Sequence, residues 1–102
     1  MKKSNITKGI VYSDEEIFET IFRNGSVRIE RIISNGQQSP KGFWYDQDEY
    51  EFVSVVEGCA VVEFKNESVK LEKNDYIIIE PHKKHRVSYT SSPTVWLCIF
   101  FK

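Results

Sequence analysis

Beyond Gly25, the sequence alternates between short apolar segments and clusters of turn residues at nearly regular intervals. The apolar segments are rich in Val, Ile, Phe and Tyr, which is typical of β-strands. The connections contain Gly, Asn, Pro and Ser, the residues that tight turns favour. The predicted strands are residues 27–34, 50–56, 60–64, 68–71, 76–80, 85–89 and 94–101. Short strands at this spacing predict an all-β fold, an antiparallel sandwich or barrel.

One helix is predicted before these strands, at about residues 14–23. Ser13 can cap its N-terminus, and Glu16, three residues later, closes a capping box. Two apolar pairs at i,i+4 spacing follow, and Gly25 ends the segment. These pairs are Ile17 with Ile21 and Phe18 with Phe22. We therefore expect one short N-terminal helix that packs its apolar face against the sheet.

Length and charge exclude several classes of protein. The 102 residues predict one domain, residues 1–102, with the barrel at about 27–101. The 14 Lys and Arg balance 15 Asp and Glu, so we expect no nucleic acid partner. The apolar runs are far shorter than the roughly 20 residues of a membrane helix. No apolar segment follows the N-terminal lysines, and Cys59 and Cys98 suit reduced thiols. We expect a cytoplasmic protein without a membrane partner.

Two segments resemble the motifs of the cupin superfamily. In the first motif a Glu is followed by six residues and a Gly, as Glu51 is followed by Gly58. In the second, residues 74–89, His85 falls on the motif histidine. The 15 residues between Gly58 and Asn74 match the spacer of compact cupins. The resemblance covers about half of the chain and implies a double-stranded β-helix, or jelly-roll, barrel.

The resemblance also implies candidate metal ligands. In typical cupins two His of the first motif, its Glu and the His of the second bind a divalent metal inside the barrel. Glu51 and His85 match, but the His-x-His pair is absent. Depending on the gap, Asp46 or the weaker ligand Gln47 takes its place. The implied site would hold zinc, manganese, nickel or iron, with its identity left open.

Four further side chains are candidates for the ligand pocket: Arg31, Trp44, Tyr45 and Tyr89. Trp44 and Tyr45 occupy alternative places of the missing first histidine, and Tyr89 shares a strand face with His85. Arg31 shares its face with apolar neighbours, which predicts that it points inward. Because a buried carboxylate needs a partner, Glu51 is expected to bind either a metal or Arg31.

Two functions remain open from the sequence. The first is a small-molecule cupin with a divalent metal, which acts as a metal-dependent enzyme or as a binder of a small carboxylate or carbonyl compound. The alternative is a metal-free, non-catalytic module that senses a ligand or joins a partner. By resemblance we also expect a homodimer. Since residues 95–101 are apolar on both strand faces, we expect Trp96 or Phe100 to approach a subunit interface or the helix.

Overall fold

The computed structural model describes all 102 residues and contains eight β-strands and no helix. The strands are β1 (Ile17–Arg23), β2 (Val27–Ser34), β3 (Tyr50–Glu57), β4 (Ala60–Phe64), β5 (Ser68–Leu71), β6 (Tyr76–Ile79), β7 (His85–Thr90) and β8 (Thr94–Phe101). The all-β prediction is confirmed, and β2 to β8 match the predicted strands to within one residue at each end. No helix has the length and apolarity that a membrane crossing requires.

The strands form two antiparallel sheets that enclose the core. One has five strands in the order β1-β2-β8-β3-β6, and the other has three in the order β5-β4-β7. The core consists of apolar side chains from both sheets, including Val53 and Trp96 from the first and Val62 and Leu71 from the second. Burial of these side chains between the sheets is the main driving force for the fold.

The predicted helix at residues 14–23 is wrong. Residues Ile17–Arg23 form β1, which pairs antiparallel with β2 along nearly its whole length. The segment is rich in Ile and Phe, which suit a strand as well as an amphipathic helix. Pairing with β2 satisfies backbone groups that would otherwise form an open sheet edge. Ser13 still makes a local turn, since its hydroxyl accepts a hydrogen bond from the Glu15 N–H at 3.1 Å.

Strand register defines which residues of the five-stranded sheet point into the lumen between the sheets. One row across β2, β8, β3 and β6 consists of Arg28, Phe100, Glu51 and Ile79. The next consists of Glu30, Cys98, Val53 and Ile77. Because side chains alternate along a strand, the residues between these rows lie on the opposite face.

The opposite face of this sheet is also apolar, and we call it the outer apolar face. Its central row is apolar on all five strands, and a shorter apolar row lies on one side, whereas the row on the other side mixes Leu97 and Tyr76 with Arg31 and Ser54. Its members are Phe22, Val27, Ile29, Tyr50, Phe52, Tyr76, Ile78, Leu97, Ile99 and Phe101. The three-stranded sheet differs, because its outer face carries charged side chains such as Glu63, Lys70 and Arg86.

Candidate functional site

A cavity of about 280 Å³ lies between the sheets. Residues from β2, β3, β6 and β8 form one wall, and residues from β4 and β7 form another. Its polar lining consists of Glu16, Arg28, Glu30, Gln37, Gln38, Ser39, Gln47, Glu51, His85 and Cys98. Its apolar lining consists of Phe18, Ile32, Pro40, Tyr45, Val53, Val62, Ile79, Val87, Trp96 and Phe100. Polar groups set among apolar and aromatic walls are typical of small-molecule sites.

Glu51 and His85 meet inside this cavity from opposite sheets. Glu51 lies on β3 and His85 begins β7, and His85 Nε2 is 3.5 Å from Glu51 Oε1. Only 10% of the Glu51 side chain and 6% of the His85 side chain are exposed. The sequence predicted that these two groups face a common lumen, and the structure brings them together.

Gln47 and Tyr45 complete the cluster around this pair. The Gln47 amide donates a hydrogen bond to Glu51 Oε1 at 3.0 Å. Tyr45 exchanges backbone hydrogen bonds with His85, and the two rings stack with their centroids 5.3 Å apart. Burial, together with the charges of Glu16 and Glu51, raises the pKa of Tyr45, so its hydroxyl stays protonated. Of the candidates for the places of the missing His-x-His pair, Gln47 and Tyr45 reach the cavity.

The groups around His85 determine which of its ring nitrogens donates and shift the pKa of the imidazole. Its Nδ1 lies 2.9 Å from the Lys83 carbonyl oxygen and must donate, because a carbonyl only accepts. Burial by itself lowers the pKa of His85, but the interactions with Glu51 and with that carbonyl outweigh burial and raise the pKa above its usual value. The raised pKa favours a second proton, on the Nε2 that faces Glu51.

We expect this protonation to make the stability of the protein depend on pH. A raised pKa in the folded state stabilises the fold fully below the unfolded pKa of about 6.5 and loses that effect as pH rises through the folded pKa. The stability difference between wild type and His85→Gln should therefore shrink between pH 5.5 and pH 8.5. Urea unfolding of both proteins at each pH measures it. His82→Gln, which removes a surface imidazole, is the control, and an equal or rising difference for His85→Gln would contradict the ion pair.

Three predicted site residues do not line the cavity. The Asp46 carboxylate accepts a hydrogen bond from His82 Nδ1 at 2.8 Å in an exposed pair. Trp44 is half-buried under the ammonium group of Lys65, 4.0 Å from its ring centroid. Tyr89 is 50% exposed, since it is on the outer face of the three-stranded sheet. Asp46 is therefore turned away from Glu51 and His85.

Arg31 also lies outside the cavity, on the face of β2 opposite the lumen. Its guanidinium donates to both carboxylate oxygens of Glu19 at 2.8 Å and to the carbonyls of Ile6 and Lys8 at 3.2 and 2.5 Å. The alternative Arg31–Glu51 pair is not formed. The prediction placed Arg31 inside because it shares a strand face with apolar neighbours. This argument does not identify the inner face of β2, because apolar residues occupy both of its faces.

Seven charged or polar residues of the cavity lining were not predicted from the sequence, namely the loop residues Gln37, Gln38 and Ser39 and four others. Arg28 and Glu30 lie on the lumen face of β2, and the guanidinium of Arg28 lies 4.1 Å from the Phe100 ring centroid. Glu16, expected in a capping box, accepts a hydrogen bond from Ser34 at the cavity wall. Side chains alternate along β2. Assigning its even-numbered residues to the lumen, instead of its odd-numbered ones, would have identified Arg28 and Glu30.

Cys98 is the fourth, and it lies in the row between Glu30 and Val53. Burial, with the charges of Glu51 and Glu30, raises the pKa of the Cys98 thiol well above its usual value. The thiol is therefore protonated and acts as an apolar wall group.

Trp96 and Phe100 line the cavity, whereas the sequence had placed one of them near a subunit interface or a helix. Trp96 is 4% exposed and Phe100 8%. The Trp96 Nε1–H donates to the Ser34 hydroxyl at 3.0 Å. The intervening residues of β8, such as Leu97 and Ile99, face outward instead.

The donor set does not fit a resident divalent metal. No three side chains of the His, Cys, Asp or Glu type converge on one point. Zinc sites usually take at least three protein ligands, and here only His85 and Glu51 supply strong donors. The third predicted carboxylate, Asp46, is engaged with His82, and the Gln47 amide nitrogen faces Glu51.

The cluster can nevertheless bind and polarise a neutral organic group. When both of its ring nitrogens are protonated, His85 can donate from Nε2–H to a carbonyl oxygen, and the Glu51 carboxylate can accept from a hydroxyl. A buried donor and acceptor 3.5 Å apart can also exchange protons with a molecule bound beside them.

Comparison with known proteins places these observations in a family. The family model for the cupin domain matches residues 31–100. A protein from Ralstonia eutropha JMP134 named as a putative mannose-6-phosphate isomerase is 37% identical, with a TM-score of 0.95, over 100% of this chain and 99% of its own. No curated protein matches the chain.

More distant structures share the fold alone. A cupin superfamily protein from Desulfitobacterium hafniense DCB-2 is 15% identical over 90% of this chain and 82% of its own, with a TM-score of 0.79. An RmlC-like cupin protein from Desulfovibrio desulfuricans is 15% identical over 98% and 96%, with a TM-score of 0.77. These matches support the double-stranded β-helix predicted from the two sequence motifs. The chain is therefore a small-molecule-type cupin and belongs to the cupin superfamily.

Proposed function

We propose that this cupin is a binding module that takes a small, uncharged hydroxy-carbonyl compound into its lumen without a resident metal. The observation that carries the proposal is the buried Glu51–His85 pair, 3.5 Å apart at the wall of a cavity of about 280 Å³. The pair places an imidazole donor and a carboxylate acceptor side by side, which suits a ligand with adjacent carbonyl and hydroxyl groups.

The charges of the lumen argue against an anionic ligand. Glu16, Glu30 and Glu51 outnumber Arg28 and His85 in the lining. Arg28 is already bound, with its Nε 3.0 Å from a Glu30 oxygen and its Nη1 3.5 Å from a Glu49 oxygen. A carboxylate or phosphate would therefore meet more negative than positive charge, and burying it without a cation is costly. Of the two expected ligand classes, carboxylate and carbonyl compounds, we therefore propose the uncharged carbonyl class.

The size and walls of the cavity suit a sugar-like molecule. A volume of about 280 Å³ lies near the lower end of ligand pockets. The rings of Trp96, Phe100 and Tyr45 provide flat apolar surface for the C–H faces of such a compound. The name of the Ralstonia eutropha protein refers to a sugar phosphate, and mannose without its phosphate is an uncharged hydroxy-carbonyl compound.

Isothermal titration with D-mannose, D-fructose and mannose 6-phosphate tests this function. We expect at least one neutral sugar to bind wild type more tightly than the phosphate does. Glu51→Gln keeps the side-chain size but removes the charged acceptor, and should weaken binding by roughly 10- to 100-fold, since a hydrogen bond to a charged group contributes about 1.5–3 kcal/mol. Glu57→Gln is the matched control, because Glu57 ends the same strand in an exposed pair with Lys73.

Several outcomes would reject the proposal. Tighter binding of the phosphate would contradict an uncharged ligand, and binding of none of the three would contradict a sugar-like one. Stoichiometric metal in untagged wild-type protein, lost in Glu51→Gln and His85→Gln, would show a metal site after all. If NMR detects conversion of mannose to fructose by the protein, the protein is an enzyme and the proposed role as a binding module is wrong.

We also propose a reducing compartment such as the cytoplasm. Both cysteines are free thiols, with Cys98 buried in the lumen wall and Cys59 half-buried beside the β3–β4 turn. Free thiols persist where glutathione keeps them reduced.

A further inference from the structure

Glu16 is the carboxylate of the lumen that forms no ion pair within the chain. The other two lumen carboxylates each have a basic partner. Glu30 lies 3.0 Å from the Arg28 guanidinium, and Glu51 lies 3.5 Å from the His85 imidazole. Glu16 is half-buried at the cavity wall, where a charge without a partner is costly. A ligand in the cavity therefore meets one carboxylate that the protein leaves unpaired.

Two buried residues hold Glu16 at this wall. The Trp96 Nε1–H donates to the Ser34 hydroxyl at 3.0 Å, and the Ser34 hydroxyl donates in turn to Glu16 Oε2. Ser34 is completely buried and Trp96 is 4% exposed, so neither donor has room to turn away. Glu16 Oε1 accepts no hydrogen bond from the chain. The carboxylate is thus fixed through one oxygen, and its second oxygen is available to a ligand.

The Tyr45 hydroxyl is a second free group near Glu16. Tyr45 lines the same cavity, and its hydroxyl forms no hydrogen bond within the chain. Burial, together with the charge of Glu16, raises the pKa of Tyr45, so the two groups lie close enough to interact. The Tyr45 ring also stacks on His85, with the centroids 5.3 Å apart. Tyr45 therefore connects the Glu51–His85 pair to the part of the lumen that Glu16 lines.

We propose that Glu16 and Tyr45 bind a further hydroxyl group of the ligand, apart from the hydroxy-carbonyl group that the Glu51 cluster takes. A hydroxyl can donate to Glu16 and accept from Tyr45, whereas an ammonium group cannot accept and a methyl group can do neither. The Trp96 ring beside them suits the C–H face of a polyhydroxy compound. The inference rests on the proposed function and narrows the ligand to a polyhydroxy carbonyl compound, because a shorter hydroxy-carbonyl compound would leave Glu16 unbound.

Isothermal titration of Glu16→Gln tests the inference, with whichever of D-mannose and D-fructose wild type binds more tightly. Glutamine keeps the side-chain size but not the charge of the acceptor, so we expect roughly 10-fold weaker binding. Glu15→Gln is the matched control, since Glu15 is the exposed neighbour and does not line the cavity. Circular dichroism checks that each variant folds. If Glu16→Gln does not, Glu16→Asp replaces it, because it withdraws the carboxylate by one methylene and should also weaken binding.

Monodeoxy derivatives of that hexose show whether Glu16 acts on a ligand hydroxyl or only on the fold. One derivative should bind wild type roughly 10-fold more weakly than the parent sugar, because it lacks the hydroxyl that donates to Glu16. In Glu16→Gln the penalty for this derivative should be at least about threefold smaller, since the charged acceptor is already lost. An equal penalty in both proteins for every derivative would overturn the inference.

These titrations also distinguish failure of the inference from failure of the proposed function. If wild type binds neither hexose, the proposed function is wrong, and the inference that rests on it is wrong too. If wild type binds a hexose and Glu51→Gln weakens that binding, the proposed function stands. In that case an affinity of the Glu16 variant equal to that of Glu15→Gln would overturn the inference alone.

Discussion

Gly58→Ala is expected to destabilise the protein by about 2–4 kcal/mol, a large share of the stability of a domain this size. Gly58 has φ of +83°, a conformation that an L side chain adopts only with strain. A Cβ there would overlap the Pro93 carbonyl oxygen and the Ser91 hydroxyl and lie 3.1 Å from the Thr94 Cα. Ser91 cannot move freely, because its hydroxyl accepts from the Cys59 N–H at 2.9 Å. Urea unfolding measures the loss.

Gly36→Ala is the matched control for this prediction. Its φ is +89°, but nothing lies within 4 Å of a Cβ at that position. It therefore carries the backbone strain without the collision and should cost only about 1 kcal/mol. Equal losses of stability in the two variants would mean that the collision between a Cβ at position 58 and residues 91–94 does not add to the destabilisation.

Trp96→Ala is expected to destabilise the protein by about 3–5 kcal/mol and to lower Tm by roughly 12–40 °C. Trp96 belongs to the core cluster, is 4% exposed and donates a hydrogen bond to Ser34, which is itself completely buried. Its removal enlarges the lumen and leaves the Ser34 hydroxyl without its donor. Thermal unfolding followed by circular dichroism, with all variants at one protein concentration, measures the loss.

Trp44→Ala is the control for Trp96→Ala, because it removes a surface indole instead of a core indole. Trp44 is half-buried, and its ring lies under the Lys65 ammonium group, an arrangement that contributes about 0.5–1 kcal/mol at exposed sites. We expect thermal unfolding, followed by circular dichroism, to show a loss several-fold smaller than for Trp96→Ala. Comparable losses would contradict the assignment of Trp96 to the core.

The candidate site could be predicted in part from sequence, through motif spacing and strand parity. Glu51 and His85 occupy the positions of the motif Glu and the motif His. The alternation of side chains along the strand around Glu51 predicts that its side chain points inward. The direction of Asp46 could not be predicted, because it lies in a loop and pairs with His82, which is 36 residues away. Glu16 could not be predicted either, since it reaches the lumen only after residues 17–23 pair with β2.

The strands and turns from β2 onward follow from the amino-acid sequence, because alternation of apolar residues and the backbone freedom of turn residues such as Gly58 are local properties. The extended conformation of residues 17–23 depends on tertiary contacts, since the edge of β2 offers backbone partners to a segment that could also be a helix. Tertiary packing also determines which face of β2 meets the lumen. Both faces of that strand carry apolar side chains, and the position of the second sheet selects Arg28 and Glu30 for the cavity and Arg31 for the outside.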